Sequence, residues 1–268
     1  MIQDSNNSAI GNRQSAIGES VSILIVDDDF GMLQTLNYIL TEKGCEVETA
    51  ADGFEAVERI KERAFDVVLT DIKMPGLNGV GLLKEVNRLS PETTTVMMTA
   101  YTLPELVGEA KRQGAVAVLP KPLDLDKIIA FIDELGARKP ILILDDDVEF
   151  CKTLQKILNK KGCDTIFATE VDKAINLLLE SQCRVVLLDM KLNGITGLDA
   201  LIAIKKADPR VIVILMTGYR EEMAGLIEES LKKTAFTCLD KPFDIEELVE
   251  LLKMVGRKRL QEVLGQCQ

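Results

Sequence analysis

Identical residues recur 118 positions apart along this chain, among them Asp27 and Asp145, Cys45 and Cys163, Asp71 and Asp189, and Thr99 and Thr217. A fixed offset held over such a length reads as one domain duplicated, because solenoid repeats have periods of roughly 20–50 residues. Lys121 and Lys241 are 120 apart, so the second copy carries a two-residue insertion before its last strand. The 268 residues suit two domains at roughly 100–200 residues each. The expected division is a disordered polar tail at 1–20, domains at 21–136 and 140–256, and a C-terminal helix extension at 257–268.

Each copy turns on one stretch. In the first it is Asp66-Val-Val-Leu-Thr-Asp-Ile-Lys-Met-Pro-Gly76, and in the second Arg184-Val-Val-Leu-Leu-Asp-Met-Lys-Leu-Asn-Gly194. A short apolar run bounded by turn residues suits a strand buried on both faces. Around it, strands are expected at Ser22–Val26, Cys45–Ala50, Asp66–Thr70, Thr94–Thr99 and Ala115–Leu119. Helices are expected at Gly31–Lys43, Gly53–Arg63, Val80–Leu89, Leu103–Gln113 and Asp124–Leu135, with Asp124 as N-cap. Five alternating strands and helices imply an α/β fold with a parallel sheet covered on both faces. In the second copy the last helix follows Asp244 and keeps apolar spacing toward Leu264. That stripe reads as a longer helix whose Arg257, Lys258 and Arg259 answer its dipole, or as a docking or homodimer surface.

Ligands of open α/β sheets bind beyond the carboxyl ends of the strands, where Asp71 and Asp189 stand. In a sheet ordered 2-1-3-4-5 the first and third strands are neighbours, so Asp27 and Asp28 lie beside Asp71. Three carboxylates that close repel one another, and a divalent cation removes the repulsion. Mg²⁺ suits an all-oxygen site. Thr99 ends the fourth strand with a hydroxyl donor, and Lys121 ends the fifth with a cation. Asp145, Asp189, Thr217 and Lys241 repeat the set. One nucleophilic carboxylate, one metal site, one donor and one positive charge fit phosphoryl transfer to Asp71 and Asp189.

Composition excludes other chemistry. The chain has no histidine, which removes Ser-His-Asp and Cys-His nucleophiles, His metal ligands and a phosphohistidine carrier. A net charge of −11 argues against a nucleic-acid partner. No apolar run reaches the ~20 residues of a membrane helix, and the N-terminus lacks a signal peptide's apolar centre. The six cysteines lack a Cys-x-x-Cys pair and read as thiols of a cytoplasmic protein.

The motifs as a set resemble the receiver domain of two-component response regulators, twice in tandem. They are Ile23-Leu-Ile-Val-Asp-Asp-Asp29, Asp71-Ile-Lys-Met-Pro-Gly76 with Gly79, Thr99-Ala100 and Lys121-Pro122. The second copy has Ile141-Leu-Ile-Leu-Asp-Asp-Asp147, Asp189 with Gly197, Thr217-Gly218 and Lys241-Pro242. The resemblance implies two flavodoxin-like (βα)5 domains, with phosphoryl groups accepted from a histidine kinase or phosphotransfer protein and signalling through a downstream protein partner. It implies Mg²⁺ held by Asp28, Asp71 and the Lys73 carbonyl, with Asp27 acting directly or through water. Asp146, Asp189 and Lys191 would serve the second site beside Asp145. Thr99, Lys121, Thr217 and Lys241 would contact phosphoryl oxygens, and both Lys-Pro bonds would be cis.

The chain departs from the family at Val118 and Cys238, where Tyr or Phe often serves as a switch. Asn193 replaces Pro75, and the second copy lacks a counterpart of Gly114. Two alternatives compete. One is a Mg²⁺-dependent phosphatase using Asp27-x-Asp29. The other is an adaptor whose second receiver takes no phosphate. No output domain is expected after residue 256. The short linker Gly136–Pro140 predicts that Asp71 and Asp189 are loaded independently.

Overall fold

A computed structural model describes residues 20–100, 104–137 and 139–265. The tail assigned to residues 1–20 lies almost wholly outside the described residues, as does Leu103, the expected first residue of the fourth helix. The described chain divides into two compact units, with the main break after Ala137.

The first unit alternates β1 (Ser22–Val26), α1 (Phe30–Glu42), β2 (Glu46–Ala50), α2 (Gly53–Glu62) and β3 (Val67–Asp71). It continues with α3 (Gly79–Leu89), β4 (Thr94–Thr99), α4 (Pro104–Arg112), β5 (Ala117–Pro120) and α5 (Leu125–Gly136). The second runs β6 (Ile141–Leu144), α6 (Val148–Lys160), β7 (Thr165–Ala168), α7 (Val171–Glu180), β8 (Val185–Asp189), β9 (Lys191–Leu192) and β10 (Ile195–Thr196). It closes with α8 (Gly197–Ala207), β11 (Ile212–Thr217), α9 (Ala224–Lys233), β12 (Thr237–Asp240) and α10 (Ile245–Val263). The two five-stranded sheets are parallel, ordered β2-β1-β3-β4-β5 and β7-β6-β8-β11-β12. This is the 2-1-3-4-5 order expected, twice.

The sequence reasons are local. Every residue of β3 is buried, as a continuous apolar run requires when helices cover both faces. In β6, Leu142 and Leu144 enter one core with Val186 and Leu188, while Ile143 enters the other with Leu187. This is the two-residue side-chain period of a strand. Asp29, Asp52, Asn78 and Asp124 accept hydrogen bonds from the first amides of α1, α2, α3 and α5. Gly114 leaves α4 at φ +96°, the left-handed conformation that glycine adopts without a Cβ clash. Its counterpart Thr234 leaves α9 in an extended φ of 175° instead.

Two features of the second unit go beyond the sequence expectation. Six residues separate Thr217 from α9 where four separate Thr99 from α4, so the insertion lies in this loop. The antiparallel pair β9–β10 forms around Asn193-Gly194, with Gly194 at φ +82°. Ile195 and Thr196 are β-branched and favour the strand; the first unit has Leu77 and Asn78 there and makes no such ladder.

Candidate functional site

Sheet register brings the sequence-chosen residues to one edge. Val26 pairs with Thr70, so Asp27 and Asp71 follow side by side. Asp71 pairs with Met98, and Thr99 with Pro120, which sets Thr99 and Lys121 next along the same edge. The second unit repeats this: Leu144 pairs with Leu188, Asp189 with Met216 and Thr217 with Asp240.

Asp27 is fully buried, and Asp71 nearly so. Lys121 Nζ bridges them, at 2.6 Å from Asp27 Oδ2 and 2.7 Å from Asp71 Oδ2. Lys241 Nζ does the same for Asp145 and Asp189, at 2.5 and 2.6 Å. Burial pushes the Asp27 carboxyl upward against the pull of Lys121. Burial also pushes Asp189 upward against the hydrogen bond from Lys241. For both lysines burial works downward, but the hydrogen bonds to two carboxylates outweigh it and the net shift is upward. Each lysine therefore stays a cation.

The acidic triplet divides its labour. Asp27 takes the lysine and also accepts from the Asp29 amide at 3.0 Å. Asp28 is exposed. Asp29 caps α1 through the amides of Gly31 and Met32. Asp147 caps α6 in the same way. The cap role of the third aspartate escaped the sequence reading, although an aspartate just before a helical apolar pattern is a cap signal.

Asp27, Asp28 and Asp71 each offer a carboxylate oxygen within 4.8 Å of the others, as do Asp145, Asp146 and Asp189. The donors are all hard oxygens, with Asp28 exposed and Asp146 half-buried, so both clusters fit a small divalent cation. The Lys73 amide donates to Asp71 at 3.2 Å, and the Lys191 amide to Asp189 at 2.9 Å. Thr99 and Thr217 are buried at the strand ends. Gly79 starts α3 against the end of β3, where a Cβ would lie 2.2 Å from the Asp71 carbonyl oxygen. The Lys121-Pro122 and Lys241-Pro242 peptides are cis.

The second site has further contacts of its threonine and lysines. Thr217 Oγ1 donates to Met223 Sδ at 3.7 Å and accepts from the Tyr219 amide at 3.0 Å. Lys241 Nζ lies 4.2 Å from the centre of the Phe150 ring, and Lys191 Nζ 4.1 Å from that of Tyr219. Arg220, on the lengthened loop, pairs with Asp240 and donates to the Cys238 carbonyl at 3.0 Å.

Each unit is a doubly wound α/β fold with a lysine-bridged acidic cluster at the carboxyl edge of its sheet. The family model for the response regulator receiver domain matches residues 23–133 and 141–253. The chain belongs to the response regulator receiver family of two-component systems, in two copies. It is 30% identical over 242 residues to a response regulator receiver protein of Anaeromyxobacter sp. (strain Fw109-5), covering 90% of this chain and 98% of that one. It is 39% identical to the transcriptional regulatory protein ZraR of Klebsiella oxytoca, over 44% of this chain and 26% of ZraR. It thus spans about a quarter of the length of ZraR. It is 35% identical to sporulation initiation phosphotransferase F of Bacillus subtilis, over 40% of this chain and 86% of that protein. Among solved structures, a CheY-like receiver domain of Methanospirillum hungatei JF-1 aligns at 36% identity with a TM-score of 0.42, covering 44% of this chain and 97% of that one.

Proposed function

We propose that each unit accepts a phosphoryl group on its strand-end aspartate, Asp71 in the first and Asp189 in the second. The reading rests on one observation, made twice: a lysine bridging two buried carboxylates, with a third carboxylate within 4.8 Å. The donor is a histidine kinase or a phosphotransfer protein. An oxygen of Asp71 attacks phosphorus, the bond from phosphorus to the donor imidazole breaks, and the imidazole leaves with its electron pair. Asp27 and Asp28 with Asp71, and Asp145 and Asp146 with Asp189, would hold Mg²⁺, aided by the carbonyls of Lys73 and Lys191. Bound there, the ion supplies charge neutralisation for the incoming phosphoryl oxygens. Lys121 Nζ, released from one carboxylate, moves to a phosphoryl oxygen, and the Thr99 hydroxyl donates to another. Lys241 and Thr217 act alike in the second unit.

The chain acts in this reading as a phosphoacceptor that signals by binding a downstream protein, and not as a turnover phosphatase. The cap role of Asp29 supports this, because it turns that carboxylate toward the α1 amides and away from the cluster. The five described cysteines are free thiols, in keeping with a cytoplasmic location. No helix among the described residues is long and apolar enough to cross a membrane.

Exposure to a small acyl phosphate with Mg²⁺, followed by intact-mass measurement, tests the reading. Two added phosphoryl groups are expected, falling to one in Asp71→Asn and one in Asp189→Asn. An unchanged mass in wild type sinks it. A second reading, an adaptor whose second unit takes no phosphate, is favoured by the Thr217–Met223 contact. It predicts a single phosphoryl group, lost in Asp71→Asn. Sedimentation across a concentration series tests a homodimer.

A further inference from the structure

The two units differ beside their acidic sites. In the first, the N-terminus of α2 packs tightly on the turn after β3. A Cβ on Gly53 would lie 2.3 Å from the Leu77 carbonyl oxygen, so no side chain fits there. The Phe54 ring covers the turn, and a Cβ on Gly76 would meet it at 2.8 Å. In the second unit Val171 stands at the place of Gly53, and Asp172 at that of Phe54. Valine cannot approach the turn as glycine does. A Cβ on Gly194 would meet nothing within 4 Å. The space that Phe54 fills in one unit is open in the other.

That space is a cleft of about 580 Å³ between the start of α7 and the β9–β10 hairpin. Its walls include Val148, Leu192 and Ile195. Leu192 leans on the main core, whereas Val148 is exposed. Its rim includes Asp146, Glu170 and Asp172. Glu170 stands at the N-cap of α7 but makes no cap bond, unlike its counterpart Asp52. It pairs with Lys173 at 2.6 Å. Asp172 has no ion pair among the described residues. Apolar walls under an acidic rim are complementary to a chain that carries aliphatic stems beneath cationic heads.

We propose that this cleft docks a basic amphipathic segment of a partner protein, with leucine-like side chains on Val148 and Ile195 and a lysine or arginine head at Asp172. The first unit, closed by Phe54, takes no such segment. The rim shares Asp146 with the second acidic cluster, whereas Val148, Asp172 and Ile195 lie outside it, so peptide binding without phosphodonor does not depend on the phosphoacceptor reading being correct.

The test uses the full chain, without phosphodonor, and a fluorescent nine-residue peptide of alternating lysine and leucine. Its glutamate–leucine counterpart is the control. The basic peptide is expected to bind once per chain and more weakly as salt rises. Asp172→Asn should weaken it by about twofold to fivefold, the share of an exposed charge pair. Asp172→Phe, which restores the first unit's filling, should weaken it by about tenfold or more. Unchanged binding in Asp172→Phe overturns the proposal, as does equal binding of the acidic peptide. Concentration-dependent self-association that Asp172→Phe abolishes also overturns it, since the occupant is then a second copy of this chain. Should Asp172→Phe fail to fold, Asp172→Asn alone decides, and an unaltered affinity there refutes the charge contact.

Discussion

The Phe54 ring lies over the turn at Gly76 in the first unit, whereas Asp172 leaves the turn at Gly194 uncovered in the second. By contrast, the lysine–carboxylate distances of the two units agree within 0.1 Å. The contrast shows which parts of a duplicated fold are free to diverge. Asp27, Asp71, Thr99 and Lys121 are fixed by register, since each follows directly from a paired strand position. A change at Asp27, Asp71 or Lys121 leaves a buried charge without its partner. The loops and helix starts around them carry no such constraint. The second unit has used them to lengthen one loop, fold a hairpin and place Met223 against Thr217.

The largest expected effect tests whether the shared part is shared in function. Asp28→Ala removes one carboxylate from the first cluster and leaves the second intact. Phosphorylation of Asp71 should then lose its response to Mg²⁺, while Asp189 keeps it. Site-resolved mass measurement over a Mg²⁺ titration reads this. If Asp71 keeps its wild-type Mg²⁺ response, the two acidic clusters are not metal sites of the same kind.

Next comes the lysine. Lys121→Met leaves Asp27 and Asp71 buried and unpaired, which should cost about 3 kcal/mol of stability in the first unit. Lys241→Met should do likewise in the second. The sign with pH follows from the upward shift of both lysines. Their contribution is complete below the ordinary lysine value of 10.5 and is lost as pH rises through the raised one. Thermal melts of wild type should therefore fall above that pH more steeply than melts of either methionine variant. Parallel curves would separate the lysines from the stability of the sites.

A smaller effect concerns α9. Ser230 is fully buried, and its hydroxyl has no hydrogen-bond partner among the described residues. Its counterpart in the first unit is Ala110, also fully buried. A buried hydroxyl without a partner costs roughly 1–3 kcal/mol. Ser230→Ala should therefore stabilise the second unit by about 1 kcal/mol, and Ala110→Ser should destabilise the first by a similar amount. Denaturant midpoints of the two variants read the difference. A destabilising Ser230→Ala would mean that the serine finds a partner in solution.

Fold and site were legible for the same reason. Val67 to Leu69 and Val185 to Leu188 are apolar without interruption and bounded by turn residues, which suits a short strand covered on both faces. The strand order then set Asp27 beside Asp71 without any knowledge of side chains. What stayed hidden depends on contacts between elements far apart in sequence. Nothing local says that Phe54 reaches the turn at Gly76, or that Val171 holds the equivalent turn away. The β9–β10 hairpin was hidden in another way. Asn193-Gly194 departs visibly from Pro75-Gly76, but the ladder also needs the β-branched Ile195 and Thr196. Helix ends shifted by a residue or so because caps decide them. Asp29 ends its own role in the acidic triplet by capping α1, so the helix starts at Phe30 and not Gly31.

The finest comparison lies in one hydroxyl. Thr217 Oγ1 donates to Met223 Sδ, and Met223 sits on the loop that the two-residue insertion lengthened. A threonine that donates to sulfur must give up that bond before it can donate to a phosphoryl oxygen. The bond is long and neutral, so its loss is worth about 0.5–1 kcal/mol, or roughly twofold to fivefold in rate. Met223→Ala removes the acceptor and leaves the Tyr219 amide, which holds the same oxygen as an acceptor, in place. The variant should therefore load Asp189 about twofold to fivefold faster with a small phosphodonor, and load Asp71 at the wild-type rate. Wild-type loading of Asp189 in that variant would show that the hydroxyl turns freely and that the insertion does not slow the second site. Loss of loading would give the methionine a positive role there. Either result would replace the account in which the Met223 contact slows the loading of Asp189.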